Sequence, residues 1–157
     1  MWHTILITLH AVAGGAALVS GLVAVRRGRL FDVYLWSLAA MAVFLLFAVA
    51  GTWAEIDAGT RALFGAFVVL AGVMVWRAVR ARRIRPTGSA APSPRYLDHV
   101  GFTLVALFDA FVVIAVLDLG WPIWLVAGTG VAIAIAGHFA IRWAKREAQR
   151  DGRVSLR

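Results

Sequence analysis

The sequence predicts an all-α integral membrane bundle of five transmembrane helices, with the N-terminus outside and the C-terminus in the cytoplasm. Of its 157 residues, 62% are hydrophobic and only 15% are charged, whereas a soluble domain has about 45–50% apolar and about 25% charged residues. The apolar residues cluster into five long segments, and the basic residues cluster between them. Because lipid offers no hydrogen-bond partner to the backbone, segments of this kind favour α-helices.

The five segments are bounded by charged residues, glycine or proline. A span needs roughly 20 mainly apolar residues to cross ~30 Å of hydrocarbon, and we expect spans at about 5–25, 33–53, 62–76, 100–117 and 122–141. The first span lacks the basic n-region and short apolar core of a signal peptide, which indicates a retained helix. The stretch PTGSAAPSP (86–94) predicts a flexible cytoplasmic linker within a single membrane domain of 157 residues.

The distribution of basic residues predicts the orientation. If the chain has five spans, 15 of its 16 Lys and Arg residues fall on one side, and Arg61 is the exception. The fifteen are Arg26, Arg27, Arg29, Arg77, Arg80, Arg82, Arg83, Arg85, Arg95, Arg142, Lys145, Arg146, Arg150, Arg153 and Arg157. The positive-inside rule places this side in the cytoplasm, which for a bacterial chain means the inner (plasma) membrane. We expect the basic loops to meet anionic lipid headgroups there and to bind no nucleic acid.

Aromatic and acidic residues near the span ends fit the same topology. Tyr34 and Tyr96 are expected at headgroup level beside the cytoplasmic tryptophans, because amphipathic rings collect there. Asp98 is expected to cap the N-terminus of the fourth helix, and Asp32 to play a similar part before the second.

His10 is a candidate functional residue in the first span. Gly14 and Gly21 follow it at helical spacing, with Ala17 between them. One interpretation is an axial ligand or proton carrier beside a flat cofactor. The other is close helix packing through Gly14, Ala17 and Gly21, with His10 bonded to a second helix.

Asp109 lies near the middle of the fourth span, where an unpaired carboxylate costs about 2.5–3.5 kcal/mol. It is therefore expected to be protonated or paired. Counting ~1.5 Å per residue, His10 and Asp109 lie at similar depths, so we hypothesise a His10–Asp109 contact if the first and fourth helices are neighbours. A buried polar clamp between helices is the alternative.

Two further histidines lie toward the cytoplasmic side. His138 shares a helix face with Gly130 and Ala134, for which helix packing is expected, and His99 opens the fourth span. A His99–His138 pair could hold haem b or a metal ion, because neutral imidazole is a common ligand. No motif spacing supports the pair, and which metal would bind is unknown.

The strings LHAVAGGAALVSGLVAVRRGR and VYLWSLAAM resemble a family of small bacterial multi-pass membrane proteins of unknown function. The matching positions are His10, Gly14, Gly21, Arg26, Gly28 and Tyr34. Longer relatives carry another histidine before the second helix, where this chain has Asp32. The resemblance implies the fold class and no particular reaction.

The sequence leaves three functions open. The chain lacks cysteine and contains none of the phosphate-loop, HExxH or GxSxG motifs, so no catalytic residue is identified. A non-enzymatic structural or accessory subunit, either homo-oligomeric or part of a membrane complex, is favoured. The alternatives are a haem-binding electron carrier resembling b-type cytochromes and a small proton-coupled transporter or channel centred on Asp109.

Overall fold

A computed structural model describes residues 2–86 and 91–154, and this part of the chain is helical, with no strand. The helices are α1 (Trp2–Arg27), α2 (Phe31–Thr52), α3 (Ala58–Arg82), α4 (Pro94–Asp118) and α5 (Ile123–Val154). All five are long and apolar enough to cross a membrane. The predicted number and order of helices is therefore confirmed.

The helices extend beyond the predicted spans, most of all in α3 and α5. Span 62–76 lies within Ala58–Arg82. Span 122–141 begins one residue before α5, which starts at Ile123 and continues to Val154. Hydropathy identifies only the apolar part of a helix. The additional turns are rich in arginine, whose charge is favourable near the C-terminus of a helix.

Four helices form a closed ring and the fifth lies outside it. Within the described residues, α1 packs against α2 and α4, α3 also packs against α2 and α4, and α5 packs against α4 alone. The buried core of the ring contains Phe31, Tyr34, Tyr96, Val100 and Thr103. Neighbouring helices run antiparallel, so the loops that follow α1 and α3 meet at one end, which we call the arginine-rich end.

A tight turn joins α1 to α2 at this end. Gly28 has a φ of +64°, and a Cβ there would lie 2.6 Å from the carbonyl oxygen of Pro86. Only glycine satisfies both the left-handed backbone and this close approach. Its amide donates to the Ala24 carbonyl at 2.8 Å, which ends α1.

Side-chain caps begin α3 and α4. Asp57 accepts hydrogen bonds from the amides of Gly59 and Thr60, and Ser93 accepts one from the amide of Tyr96. The expectation that Asp98 caps α4 is corrected, because Ser93 does so five residues earlier. Of the predicted linker 86–94, residues 87–90 lie outside the described part, and Pro94 already belongs to α4.

Candidate functional site

Two tyrosines form a polar cluster inside the ring, near its arginine-rich end. The Tyr34 hydroxyl on α2 is hydrogen-bonded to the Thr103 hydroxyl on α4. The Tyr96 hydroxyl donates to the Ala24 carbonyl of α1 at 2.7 Å. Both rings are fully buried, so they lie near the predicted end of the bundle but face its interior and not its lipid-facing surface. Amphipathic chemistry suits a tyrosine to either place, and the sequence does not show that α1 leaves room for the rings.

The stripe of small residues on α1 makes that room. Gly14, Ala17 and Gly21 are buried. A Cβ at Gly14 would lie 3.3 Å from Phe111, and one at Gly21 would lie 2.7 Å from Leu104 and 2.9 Å from Tyr34. The structure therefore places this stripe against α2 and α4, as close helix packing requires.

His10 is bonded to α2. Its Nδ1 donates to the Met41 carbonyl oxygen at 2.9 Å, and Met41 also lies against the position of Gly14. No hydrogen bond or ion pair joins His10 to Asp109 in the described part of the chain. His10 acts as an interhelical hydrogen-bond donor here.

Asp109 lies on the face of α4 that is directed toward α5. Val105 packs on Gly137 of α5, and one turn later the Asp109 Oδ1 lies 3.5 Å from where a Cβ at Gly130 would be. The face of α4 that meets α1 carries Leu104 and Phe111 instead. The similar depths of His10 and Asp109 therefore do not bring them together, because their side chains point to different helices.

The Asp109 Oδ1 atom is buried and has no hydrogen-bond partner. Burying a carboxylate oxygen away from water without a partner is costly, and no hydrogen bond from the described residues offsets that cost at this atom. Gly130 brings the α5 backbone close to Asp109. Ala134, expected on the same packing face as Gly130, is exposed instead, and Gly137 makes the close contact that the sequence interpretation missed. The one-turn spacing of Gly101, Val105 and Asp109 could have indicated this face.

The two histidines that were predicted to pair, His99 and His138, lie apart. His138 is exposed, and its ring lies edge-on to that of the neighbouring Phe139, at 6.0 Å between centroids. Its neighbour Gly137 packs at the level of Val105, which is six residues, or about 9 Å along the helix, from His99. His99 instead lies in a small polar groove with Asp98 and Lys145. The described residues contain no group of three or more His, Asp or Glu side chains placed to hold a metal ion.

Ion pairs join the helices at the arginine-rich end. Asp98 binds Arg77 of α3 at 3.0 Å and Lys145 of α5 at 3.1 Å. Asp32 binds Arg85 at 2.9 Å and Arg82 at 3.4 Å. Asp32 lies in the first turn of α2, at whose start no side chain makes a capping hydrogen bond, so both aspartates link helices and neither caps one.

Comparisons with protein-family models, curated proteins and solved structures find no match for this chain. The resemblance of its first two helices to a family of small bacterial membrane proteins therefore stays a prediction.

Proposed function

We propose that the chain is a non-enzymatic structural subunit of a bacterial inner membrane that associates with copies of itself through the outer face of α5. Its interior polar groups support a structural role. His10, Tyr34 and Tyr96 each use a polar atom to bond one helix to another. Polar side chains commonly hold membrane helices together in this way.

The proposed orientation has the N-terminus outside and the arginine-rich end in the cytoplasm. The positive-inside rule supports it, because basic residues from three separate segments gather at that end. Asp98 and Asp32 each bind two of these bases. Arg26, Arg27 and Arg29 are exposed at the same end and would meet anionic headgroups of the inner leaflet.

An exposed stripe of small residues on α5 carries the proposal of self-association. Gly128, Ala132, Ala136 and Ala140 recur every fourth residue, and all four are exposed. At 100° per residue, Gly128 and Ala132 lie on the side of α5 opposite to Gly130 and Gly137, which meet α4. The stripe then turns toward the α4 side at Ala136 and Ala140. Small residues at this spacing let two membrane helices approach closely enough for backbone contact.

The test replaces Gly128 with isoleucine and uses Gly72→Ile on α3 as the matched control. A Cβ at either glycine would meet no atom within 4 Å, so both substitutions begin in open space and are matched in this respect. Energy transfer between donor-labelled and acceptor-labelled copies in liposomes reports association. We expect Gly128→Ile to weaken it about tenfold, which corresponds to ~1.4 kcal/mol, and Gly72→Ile to leave it unchanged. A monomeric wild type, or equal effects of the two variants, would contradict the proposal.

A second candidate function is proton transfer centred on Asp109. It is favoured by one observation, the buried Oδ1 atom without a hydrogen-bond partner, because ionisable groups inside a membrane often belong to proton pathways. Proton flux into liposomes, measured with a pH-sensitive dye, should then exceed that of protein-free liposomes and disappear in Asp109→Asn. Flux that persists in this variant would eliminate the candidate, and self-association would be unaffected in either case.

A further inference from the structure

A groove lies between α2 and α3 at the end of the ring opposite to the arginine-rich end. Its volume is about 460 Å³, and its lining is apolar, formed by Leu46, Val49, Ala50, Trp53, Gly65 and Val68. A Cβ at Gly65 would lie 4.0 Å from Trp53, on the groove side of α3. Because Gly65 has no side chain, the space between it and Trp53 stays open. An apolar groove on the outside of a membrane bundle is exposed to lipid chains.

Arg61 lies on the same face of α3 as two residues that line this groove. It precedes Gly65 by one helical turn and Val68 by two, so all three share one face of α3. It is also the one basic residue that the topology assigns to this side of the membrane. The positive-inside rule does not account for a basic residue on this side, so Arg61 requires another explanation.

The guanidinium of Arg61 has donors to spare. Its Nη2 donates to the Ala54 carbonyl oxygen at 3.4 Å, while its Nε is buried without a partner. Among the described residues it forms no ion pair, although Asp57 and Glu55 lie within six residues. Arginine offers five N–H donors in a fork that matches phosphate oxygens.

The two carboxyl groups complete the charge pattern at this end. Asp57 and Glu55 are exposed, and hydrogen bonds from Thr60 hold the pKa of the Asp57 carboxyl below its usual range, so Asp57 is negative at neutral pH. A free cation and exposed anions beside an apolar groove complement a headgroup that carries both signs of charge.

We infer that this groove binds one zwitterionic glycerophospholipid, with an acyl chain between α2 and α3 and the phosphodiester on Arg61. The headgroup ammonium then lies toward Asp57 and Glu55. The inference rests on membrane insertion, which belongs to the proposed function, but it requires neither self-association nor a particular orientation.

The test measures lipid retained by the purified full-length chain. Protein is reconstituted in equimolar phosphatidylethanolamine and phosphatidylglycerol, extracted in mild detergent and analysed by native mass spectrometry. We expect the wild type to keep one phosphatidylethanolamine, and Arg61→Gln and Gly65→Leu each to reduce that occupancy about tenfold, as loss of a charge-assisted phosphate contact or of the chain site would. The matched controls, Arg80→Gln at the other end and Gly72→Leu on the same helix, should retain it.

Three results would overturn the inference. They are equal retention by Arg61→Gln and the wild type, preferential retention of phosphatidylglycerol, and a wild type that keeps no phosphatidylethanolamine. A liposome flotation assay on the same samples distinguishes failure of the lipid-site inference from failure of the proposed membrane insertion. A wild type that does not float with liposomes refutes membrane insertion, whereas one that floats and keeps no phosphatidylethanolamine refutes only the lipid site.

Discussion

Gly21 and Tyr34 meet where three helices of the ring approach one another. The Tyr34 hydroxyl is hydrogen-bonded to Thr103. The Tyr34 ring packs against Gly21, where a side chain would collide with it. The ring therefore cannot move aside without losing a buried hydrogen bond, and leaving a buried polar group unpaired is costly. Close packing at one glycine and bonding at one tyrosine thus depend on each other.

Replacing Gly21 with alanine should destabilise the fold, because the new Cβ would lie 2.7 Å from Leu104 and 2.9 Å from Tyr34. We expect a loss of about 1–3 kcal/mol, typical of overpacking. Gly15→Ala on the same helix is the control, because a Cβ there would meet nothing within 4 Å. Unfolding in detergent measures both variants. Equal stability of the two would show that this junction is loosely packed.

The sequence identifies individual buried or closely packed residues better than it predicts which helix each side chain faces. The small stripe at Gly14, Ala17 and Gly21 is visible in the sequence, since its spacing is a property of one helix. Asp109 also stood out, because its burial depends only on its depth in the span. The partner that each side chain faces depends on which helices are neighbours, so the predicted His10–Asp109 contact did not form.

At the scale of the helix, α3 shows how a local cap can set a boundary that hydropathy does not report. The apolar segment begins at about residue 62, yet the helix begins at Ala58 because Asp57 accepts the first free amides. Asp98, in contrast, was expected to act locally and instead binds Arg77 and Lys145 on two other helices. Local rules identify caps well only where no distant charge competes for the carboxylate.

The cap of α3 should weaken in acid. Hydrogen bonds from Thr60 hold the Asp57 pKa below its usual range. A carboxyl with a lowered pKa in the folded state stabilises above its unfolded pKa of ~3.9, and this stabilisation is lost as pH falls through the folded pKa.

Hydrogen exchange at the first turn of α3 tests this expectation. The protection factors of the Gly59 and Thr60 amides should fall below pH 4 in the wild type. Asp57→Asn, which keeps a capping oxygen but cannot titrate, should show no such fall. Protection that is independent of pH in the wild type would contradict a role for the ionised cap.

At the scale of the whole molecule, residues 2–86 and 91–154 form a four-helix ring with α5 attached through α4 alone. Five apolar segments predict the number of helices and their order along the chain, because each span must satisfy its own backbone. They do not predict that α1 and α4 are neighbours or that α5 lies outside, because those contacts depend on side-chain shape at positions such as Gly21 and Gly137. The exposed stripe on α5 and the groove beside Arg61 became visible only once this arrangement was known.

Membrane insertion is the claim on which every other proposal depends, and single-cysteine labelling tests insertion and orientation together most directly. The chain contains no cysteine, so each introduced thiol reports alone. The sites are Glu55→Cys and Leu119→Cys on the proposed outer side, and Ile84→Cys and Ala91→Cys on the proposed cytoplasmic side, all exposed positions that leave every base in place. A membrane-impermeant maleimide should label the first two in intact spheroplasts and the other two only after permeabilisation. The opposite pattern, or labelling of all four in intact spheroplasts, would contradict a five-span chain with its arginine-rich end in the cytoplasm.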